Sequence, residues 1–287
     1  GNLLSNVTGT LANRFFISSS TDASIGAASG TTLTLTGDQF VTAPPFTLTF
    51  GSSSATGTID LAMPSGVTIG AGMRANIAGG TVRTSNAFGA SVLSLASGGT
   101  TIGNGATSAT LDVNGVSFNL VNLGGNASGT LTNLGSQAAT TTINSTSAST
   151  FAGTITNGTS ALNLTKFGNA TLTLTGSNSY SGITNILRGT LQIGDGGTTG
   201  SLGTGNVTLD ALGNLTFNRS NDLIASNAIS GAGTLTKLGT GTLSLTGANL
   251  PFLSSLTLFF TLATVLFLVL LTPMGAGFWV AQSQVWN

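Results

Sequence analysis

Side chains able to do acid–base or metal chemistry are few in this chain. The sequence contains no His, no Cys and no Glu, and its seven acidic residues are all Asp, from Asp22 to Asp222. General bases, activated nucleophiles and zinc ligands come mainly from the missing residue types. The sequence therefore does not support a catalytic triad or a metal cluster, and we predict no catalytic, cofactor-binding or metal-binding residue.

The best remaining candidates for an acid and base pair, or for a calcium site, are carboxylates close in sequence to a basic residue. They are Asp195, Asp210 and Asp222. Arg188 and Arg219 lie in the same stretch. Such sites need clustered carboxylates. Asp210, Arg219 and Asp222 would meet only on neighbouring coils of a repeated fold, and a solvated ion pair is the commoner outcome.

A glycine-rich stretch at residues 194–205 reads GDGGTTGSLGTG. It lacks the G-K-[ST] ending and the following amphipathic helix of a phosphate-binding loop. We therefore interpret it as a turn. Lys166 and Lys237 share one position of a repeated phrase, whereas a catalytic residue is needed once. We interpret both lysines as architectural and exposed, with the ammonium group in water.

The composition excludes several classes of protein. Only 5% of the 287 residues are charged, the formal net charge is zero, and no stretch is basic, so nucleic-acid binding is not expected. Hydrophobic residues reach 40% and alternate with Ser and Thr, which predicts a folded chain rather than a disordered one. Without cysteine, burial and backbone hydrogen bonds must hold the fold.

A fifteen-residue phrase occurs twice, at residues 164–178 as LTKFGNATLTLTGSN and at residues 235–249 as LTKLGTGTLSLTGAN, with ten identical positions. Within each copy the leucines alternate with Thr or Ser, and a glycine ends the run, which is typical of a strand followed by a turn. A repeat this close indicates a repeated structural unit. A β-sandwich is the competing fold, because it also has many short strands and turns.

The first copy continues after Asn178 with SYSGIT, and residues 188–194 read RGTLQIG. This whole pattern resembles the autotransporter-associated β-strand repeat of bacterial passenger regions. The match is specific over residues 160–249 and weaker upstream, where residues 129–135 read GTLTNLG. The resemblance implies an all-β, right-handed parallel β-helix, or solenoid, over residues 1–249. Its coils leave open strand edges at both ends, which further coils or caps must cover.

The last residues, 250–287, break the pattern. Residues 252–272 are uncharged and rich in Leu, Phe and Val, and as a helix they would span about 32 Å, close to the hydrocarbon core of a bilayer. One interpretation is a transmembrane helix with membrane contact through these residues. The other is a shift of reading frame after Asn249, because the composition changes within one residue. Both interpretations remain open at this point.

The resemblance implies a non-enzymatic autotransporter passenger, displayed at the bacterial cell surface or outer membrane or secreted, that acts as a rigid stalk and adhesive surface. Its expected partner is a glycan or a host-surface ligand, and the sequence fixes no oligomeric state. The first alternative is a β-helical polysaccharide-degrading enzyme, and the second is a membrane-anchored β-helical surface protein. Because the chain begins at Gly1 without a signal segment, we expect it to be part of a longer protein.

Overall fold

The computed structural model shows a chain of short strands. The structure describes residues 2–12, 16–17, 22–36, 41–42, 47–62, 74–85, 93–95, 98–249, 257–262, 265–270 and 279–281. Each regular element within these residues is a β-strand. Residues with a branched Cβ or a leucine alternate with small polar residues in most strands, and this pattern suits a pleated, half-buried surface.

The strands up to residue 245 follow one another with short connections. They are β1 (Asn2–Ser5), β2 (Gly9–Leu11), β3 (Phe16–Ile17), β4 (Ala23–Ala27), β5 (Thr32–Leu35), β6 (Val41–Thr42), β7 (Thr47–Phe50), β8 (Thr58–Leu61), β9 (Arg74–Ile77), β10 (Gly80–Thr84), β11 (Leu93–Leu95), β12 (Gly99–Ile102), β13 (Ala109–Asp112), β14 (Phe118–Val121), β15 (Gly129–Asn133), β16 (Ala139–Asn144), β17 (Ser149–Phe151), β18 (Thr154–Gly158), β19 (Leu162–Phe167), β20 (Thr171–Leu174), β21 (Thr184–Ile193), β22 (Val207–Asn218), β23 (Leu223–Ala225), β24 (Ile229–Gly231), β25 (Thr234–Leu238) and β26 (Leu243–Leu245).

These strands wind into coils with three faces, and each strand pairs in parallel with a strand of the next coil. The first face begins with β1, β4, β7, β9 and β12, and the second face runs from β2 through β5, β8, β10, β13 and β15 to β18. The third face contains β11, β14, β16 and β19. Leu3 pairs with Ile25, 22 residues later, which gives the size of one coil. The expected parallel β-solenoid is confirmed, and the antiparallel β-sandwich is excluded.

Two long strands pass from one face to the next. In β21 the residues Thr184 to Ile186 pair with third-face β19, whereas Thr190 to Ile193 pair with first-face β20. Strand β22 bends in the same way, and its register with β21 shifts between Ile186 and Arg188. This corner between the third and first faces therefore lies at residues 187–189. Strand β24 then extends the third face, and β25 extends the first.

The core lies inside the coils and consists of stacked aliphatic side chains. One inward ladder on the second face is formed by Leu33, Ile59, Val82, Leu111, Leu131 and Ile155. Each of these side chains is at most 5% exposed. Full burial of one such side chain contributes about 1.5–3 kcal/mol. Ladders of this kind hold neighbouring coils together, since each coil packs only against the coils beside it.

The two copies of the repeated phrase lie on different faces. The first copy begins in third-face β19 and continues in first-face β20, whereas the second begins in first-face β25 and continues in β26. Strands β23 and β26 occupy the second face, because β23 lies between first-face β22 and third-face β24 along the chain. The phrase thus encodes a strand, a corner and a second strand. The first copy spans the third and first faces, and the second copy spans the first and second faces.

Of residues 252–272, expected as a transmembrane helix, the structure describes 257–262 and 265–270, which are strands rather than a helix, and the others lie outside the described residues. Within residues 257–270 it has a hairpin of β27 (Thr257–Leu262) and β28 (Val265–Leu270), in which Thr257 pairs with Leu270. A third strand, β29 (Trp279–Ala281), runs antiparallel to β26. Phe, Val and Thr are frequent in this segment and favour extended chain, and antiparallel pairing satisfies the backbone without a helix. Among the described residues there is no helix with the length and apolar character that a bilayer crossing requires.

Candidate functional surface

The lysines of the repeated phrase are buried, which corrects the expectation that they would be exposed. Lys166 is 0% exposed and Lys237 is 3% exposed. In β19 the alternation that turns Leu162 and Leu164 inward also turns Lys166 inward. The same period places Lys237 on the inward side of β25, after Leu235. Strict alternation in the letters L-T-K was the signal that could have predicted this burial.

Each buried ammonium group lies at a corner and binds backbone carbonyls. The Nζ atom of Lys166 donates to the carbonyl oxygens of Phe167 at 3.0 Å, Gly168 at 2.8 Å and Arg188 at 3.0 Å. The Nζ atom of Lys237 donates to the carbonyl oxygens of Leu238 at 2.6 Å and Gly239 at 2.8 Å. A buried charge needs such partners, so the carbonyls compensate for the lost water.

The glycine conformation at each corner and the burial of each lysine explain how the ammonium group is held and why its pKa changes. Gly168 and Gly239 have φ angles of 82° and 72°, a region that glycine adopts without strain, and this turns their carbonyls toward the preceding lysine. Burial lowers the pKa of Lys166 from 10.5 to about 8. Burial also lowers the pKa of Lys237, although the negative charge of Asp222 acts in the opposite direction. The lysines are therefore structural corner residues, as the repeat suggested.

Arg219 and Asp222 each bind backbone of a neighbouring coil. The Arg219 guanidinium donates from Nη1 to the carbonyl of Gly200 at 2.7 Å and from Nη2 to the carbonyl of Thr198. The Oδ1 atom of Asp222 accepts from the backbone N–H of Thr242 at 2.7 Å. This hydrogen bond holds the pKa of Asp222 below its usual value. Both charged groups thus fix corners between coils.

The structure separates the two carboxylates proposed for an acid and base pair. Asp210 lies at the corner between the third and first faces, where β22 bends. Asp222 follows β22, at the corner that leads to second-face β23. The first-face part of β22 lies between them, about six residues or roughly 20 Å of extended chain. The structure does not bring Asp210, Arg219 and Asp222 into one cleft.

The glycine-rich stretch at residues 194–205 is a connection between β21 and β22, as predicted. The backbone N–H of Gly194 donates to the carbonyl of Leu174, and that of Gly196 donates to Asn218. Its carbonyls at Thr198 and Gly200 receive the Arg219 guanidinium. A phosphate-binding loop directs N–H groups at an anion, whereas this loop directs carbonyls at a cation. The arrangement is that of a structural corner.

Tyr180 is a packing residue rather than an exposed binding residue. Its side chain is 0% exposed, and its hydroxyl lies 2.9 Å from the Thr184 Oγ1 atom. Burial raises the pKa of this hydroxyl. Gly203 lies against the tyrosine so closely that a Cβ there would be 2.2 Å from the Tyr180 carbonyl oxygen.

One charged cluster was missed by sequence reasoning. On the outward side of the second face, Asp60 pairs in register with Arg83, and Arg83 pairs with Asp112. The Nη2 atom of Arg83 lies 3.1 Å from Oδ2 of Asp60, and the Ser85 hydroxyl donates to the same carboxylate. These residues are 23 and 29 positions apart, so only the alignment of coils reveals their contact. Among the described residues no group of three His, Cys, Asp or Glu side chains is placed to hold a metal ion.

The outward sides of the faces carry ladders of small polar residues. The second-face threonine ladder consists of Thr32, Thr58, Thr81, Thr110, Thr130 and Thr154. The third-face polar ladder consists of Asn119, Thr142, Thr165, Asn185, Thr208 and Ser230. Neighbouring members are about 4.8 Å apart, the spacing of paired strands. Each ladder is therefore a regular row of hydrogen-bonding groups along the solenoid.

An apolar ridge runs along the corner between the third and first faces. Phe167, Leu187 and Leu212 are 42%, 38% and 64% exposed. They belong to three successive coils, because Lys166 pairs with Ile186 and Arg188 pairs with Leu212. We call these three residues the corner ridge. Together with the third-face polar ladder, it forms a surface that is apolar along one edge and polar beside it.

Comparison with known proteins agrees with this architecture. Residues 164–193 and 235–250 match the passenger-associated transport repeat. A stretch of 76 residues is 50% identical to the adhesin BmaC autotransporter of Brucella suis biovar 1 (strain 1330), and it covers 26% of this chain and 2% of that protein. The chain thus spans a small part of the length of this curated relative. No solved structure matches the chain. Two stretches of the chain thus match the passenger repeat, and 26% of the chain is similar to an autotransporter adhesin.

Proposed function

We propose that this chain is a non-enzymatic part of an autotransporter passenger, and that it works as a rigid stalk with an adhesive surface. The observation that carries the proposal is the pair of outward polar ladders on a solenoid built from passenger repeats. The relative described above is named an adhesin. The partner would be a glycan or a host-surface protein that offers repeated hydrogen-bonding groups.

Rigidity and adhesion follow from the same repetition. Side chains link neighbouring coils, for example Asn163, whose Oδ1 atom accepts from the backbone N–H of Ile183 at 2.9 Å. Each ladder then presents one weak contact per coil at a fixed spacing. Several weak contacts made at once give a much stronger attachment than one contact alone. The corner ridge adds apolar contact area, since its three side chains are partly exposed.

The absence of catalysis is part of the proposal. Asp222 and Arg219 bind backbone at corners, and Asp60 is paired with Arg83. These partners support structural roles for the charged groups and weigh against a polysaccharide-degrading enzyme. We also propose no cofactor and no metal for this region.

The organisation of the chain is likewise a proposal. We assign residues 1–249 to the stalk, with a right-handed winding, because parallel strand connections are almost always right-handed. Residues 250–287 follow the stalk as a hydrophobic tail. Its two interpretations, a membrane contact or a shifted reading frame, are separated by reading the coding DNA in the other frames after Asn249. Repeat words such as YSG or LQIG in another frame would favour the shift.

An adhesion assay on the full chain tests the function. Beads coated with the protein are applied to a glycan array and to immobilised host extracellular-matrix proteins. Three double variants remove hydroxyls but keep strand-forming side chains. Two of them change the ladders described above: Thr110→Val with Thr130→Val, and Thr142→Val with Thr208→Val. The third is Thr49→Val with Thr101→Val on the first face, where both threonines align with Asn76. We expect one face to lose retention at least tenfold while the other two keep it, because a ladder acts through several contacts.

Two results would overturn the adhesive role. One is that the wild-type beads are not retained on any surface. The other is that all three double variants are retained as well as the wild type, which would place attachment outside the hydroxyl ladders. Circular dichroism of each variant controls for folding.

A further inference from the structure

Four residue pairs in this chain have the chemistry for a spontaneous rearrangement of the backbone. They are the Asn-Gly pairs at residues 104–105, 114–115 and 157–158 and the Asp-Gly pair at residues 195–196. In such a pair the glycine nitrogen attacks the side-chain carbonyl carbon of the preceding residue, because glycine has no Cβ to hinder the approach. The reaction needs a glycine N–H and a side chain that are not held by other partners. The structure separates the four pairs by these two conditions.

The glycine nitrogen is held in two of the pairs. The N–H of Gly115 donates to Oδ1 of Asn133 at 2.7 Å. The N–H of Gly196 donates to the carbonyl oxygen of Asn218 at 2.9 Å. Each nitrogen points at its acceptor and away from the side chain before it, so a hydrogen bond must break before the ring can close.

The side-chain amide is held in a third pair. The Oδ1 atom of Asn157 accepts from the backbone N–H of Ser181 at 2.8 Å and from that of Leu162 at 3.2 Å. Its Nδ2 atom donates to the Ser181 hydroxyl at 2.8 Å. Both ends of the amide are therefore fixed against neighbouring chain, and the amide carbon cannot turn toward the nitrogen of Gly158.

The fourth pair, Asn104 and Gly105, meets both conditions. Both residues are exposed. Among the described residues nothing accepts from the Gly105 N–H, and the Asn104 side chain has no hydrogen-bond partner. A Cβ at Gly105 would meet no other atom within 4 Å, so there is open space around the position where the ring would form.

The loop between β12 and β13 presents this pair to solvent. The loop is anchored at its start, where the N–H of Gly103 donates to the carbonyl of Ile77 at 2.9 Å. It is anchored at its end, where the Ser108 carbonyl accepts from the N–H of Gly80 at 3.0 Å. The loop has six residues, whereas the connection between β9 and β10, one coil earlier, has two. Its middle is thus free of the neighbouring coil.

We propose that Asn104 is a site of spontaneous deamidation. The nitrogen of Gly105 forms a bond to Cγ of Asn104, the bond from Cγ to Nδ2 breaks, and ammonia leaves with the proton of the Gly105 N–H. Water then opens the resulting succinimide at either of its two carbonyls. The products are aspartate and isoaspartate, and water is the only co-reactant.

The modification changes both charge and a contact between coils. This corner has no charged residue in three successive coils, which contribute residues 78–79, 103–108 and 126–128. Either product places a carboxylate there. Isoaspartate also lengthens the backbone between Asn104 and Gly105. Because the Gly105 carbonyl accepts from Nδ2 of Asn126 in the next coil at 2.8 Å, this longer backbone displaces one link between the coils.

Storage of the purified full chain in mildly alkaline buffer tests the proposal. Peptides from a protease digest are then followed over time by mass spectrometry. We expect Asn104 to be converted at least about tenfold faster than Asn114 and Asn157, because these two react only after local opening of hydrogen-bonded chain. An isoaspartate-specific methyltransferase should label the peptide that contains residue 104.

Two controls separate the effect of the structure from that of the local sequence. In concentrated urea the three asparagines should be converted at similar rates, because unfolding releases every Asn-Gly pair. Gly105→Ala is the matched variant, since the added Cβ fits the structure but hinders the attacking nitrogen. It should slow conversion of Asn104 about tenfold or more, while Asn114 and Asn157 keep their rates.

Three results would overturn the proposal. One is conversion of Asn104 in the folded chain at the rate of the other two asparagines. Another is a preference for Asn104 that persists in urea, which would assign the effect to flanking sequence and not to the fold. The third is unchanged conversion of Asn104 in Gly105→Ala.

Discussion

The two buried lysines show how one side chain shapes a corner of the solenoid. Each occupies an inward position of its strand and binds the carbonyls of the two residues that follow it. The long aliphatic stem fills the core beside the leucines, while the ammonium group reaches the chain reversal. A shorter or uncharged side chain could not do both, which explains why the lysine returns with the phrase.

Replacing Lys166 tests this role. We expect Lys166→Met to lower the free energy of unfolding by about 1–3 kcal/mol, because three backbone carbonyls lose a buried donor. Urea unfolding at pH 7, followed by circular dichroism, measures the change. Arg188→Met is the matched control, since its side chain is exposed, and it should change stability by less than about 0.5 kcal/mol. Equal losses in the two variants would contradict the role of the buried lysine.

Stability should also depend on pH through this lysine. Burial lowers the pKa of Lys166 from 10.5 in the unfolded chain to about 8 in the folded chain, so the unfolded chain binds more protons between these values. Stability therefore rises with pH through this window, and the gain is lost as the pH falls below about 8.

We expect the urea midpoint of the wild-type chain to rise from pH 8 to about pH 9.5, and to rise less in Lys166→Met. The upper limit avoids Tyr180, whose raised pKa would make stability fall at still higher pH. A variant with the full wild-type rise would rule out Lys166 as its source.

At the scale of the element, the unit of this fold is a strand that turns a corner into a second strand. The repeated phrase encodes this unit, and its copies occupy different faces because three nearly equivalent corners are available. Alternation then decides which side chains enter the core. Leu131 is buried in β15, whereas Leu134, directly after β15, is 52% exposed.

This pair of leucines gives a matched test of the alternation. We expect Leu131→Ala to cost about 2–5 kcal/mol of unfolding free energy, because it leaves a cavity in the ladder. Leu134→Ala makes the same chemical change on the surface and should cost less than about 1 kcal/mol. Thermal and urea unfolding of both variants measure the difference, and similar costs would show that the assigned register is wrong.

At the scale of the whole molecule, stability comes from the stacking of coils rather than from a single central core. Each coil is held by the coils on either side, so the central coils have two neighbours and an end coil has one. The first coil also exposes Leu4 and Val7, at 54% and 68%. Local opening should therefore begin at this end.

Hydrogen exchange measured by mass spectrometry tests this gradient. We expect the amides of β15, β16 and β18 to exchange slowest, and those of β1 and β2 to exchange fastest. The reason is that the opening of an end coil breaks contacts with one neighbouring coil, whereas the opening of a central coil breaks contacts with two. Uniform protection along all the coils would contradict independent opening and would indicate that the solenoid unfolds as one unit.

The sequence alone determined the strands and the repeated unit, and the family resemblance implied the parallel solenoid. Period-two alternation fixes which residues face inward, and the glycine after each run marks a corner, so these features are local. Residues 194–205 were predicted as a turn because the features of a phosphate-binding loop are missing from the sequence itself. The family resemblance rested on the phrase that occurs at residues 164–178 and again at 235–249, and recognising this phrase needs no knowledge of contacts.

The tertiary structure decided the features that depend on contact between coils. Lys166 makes its third hydrogen bond because Arg188 of the next coil supplies a carbonyl, and that contact spans 22 residues. Asp60 meets Arg83 only through the register of β8 and β10. Residues 257–262 and 265–270 are paired strands rather than a helix because antiparallel partners satisfy their backbone, and an apolar run alone does not distinguish the two. Coil length varies from one coil to the next, so the register that creates these contacts is set only when the coils stack.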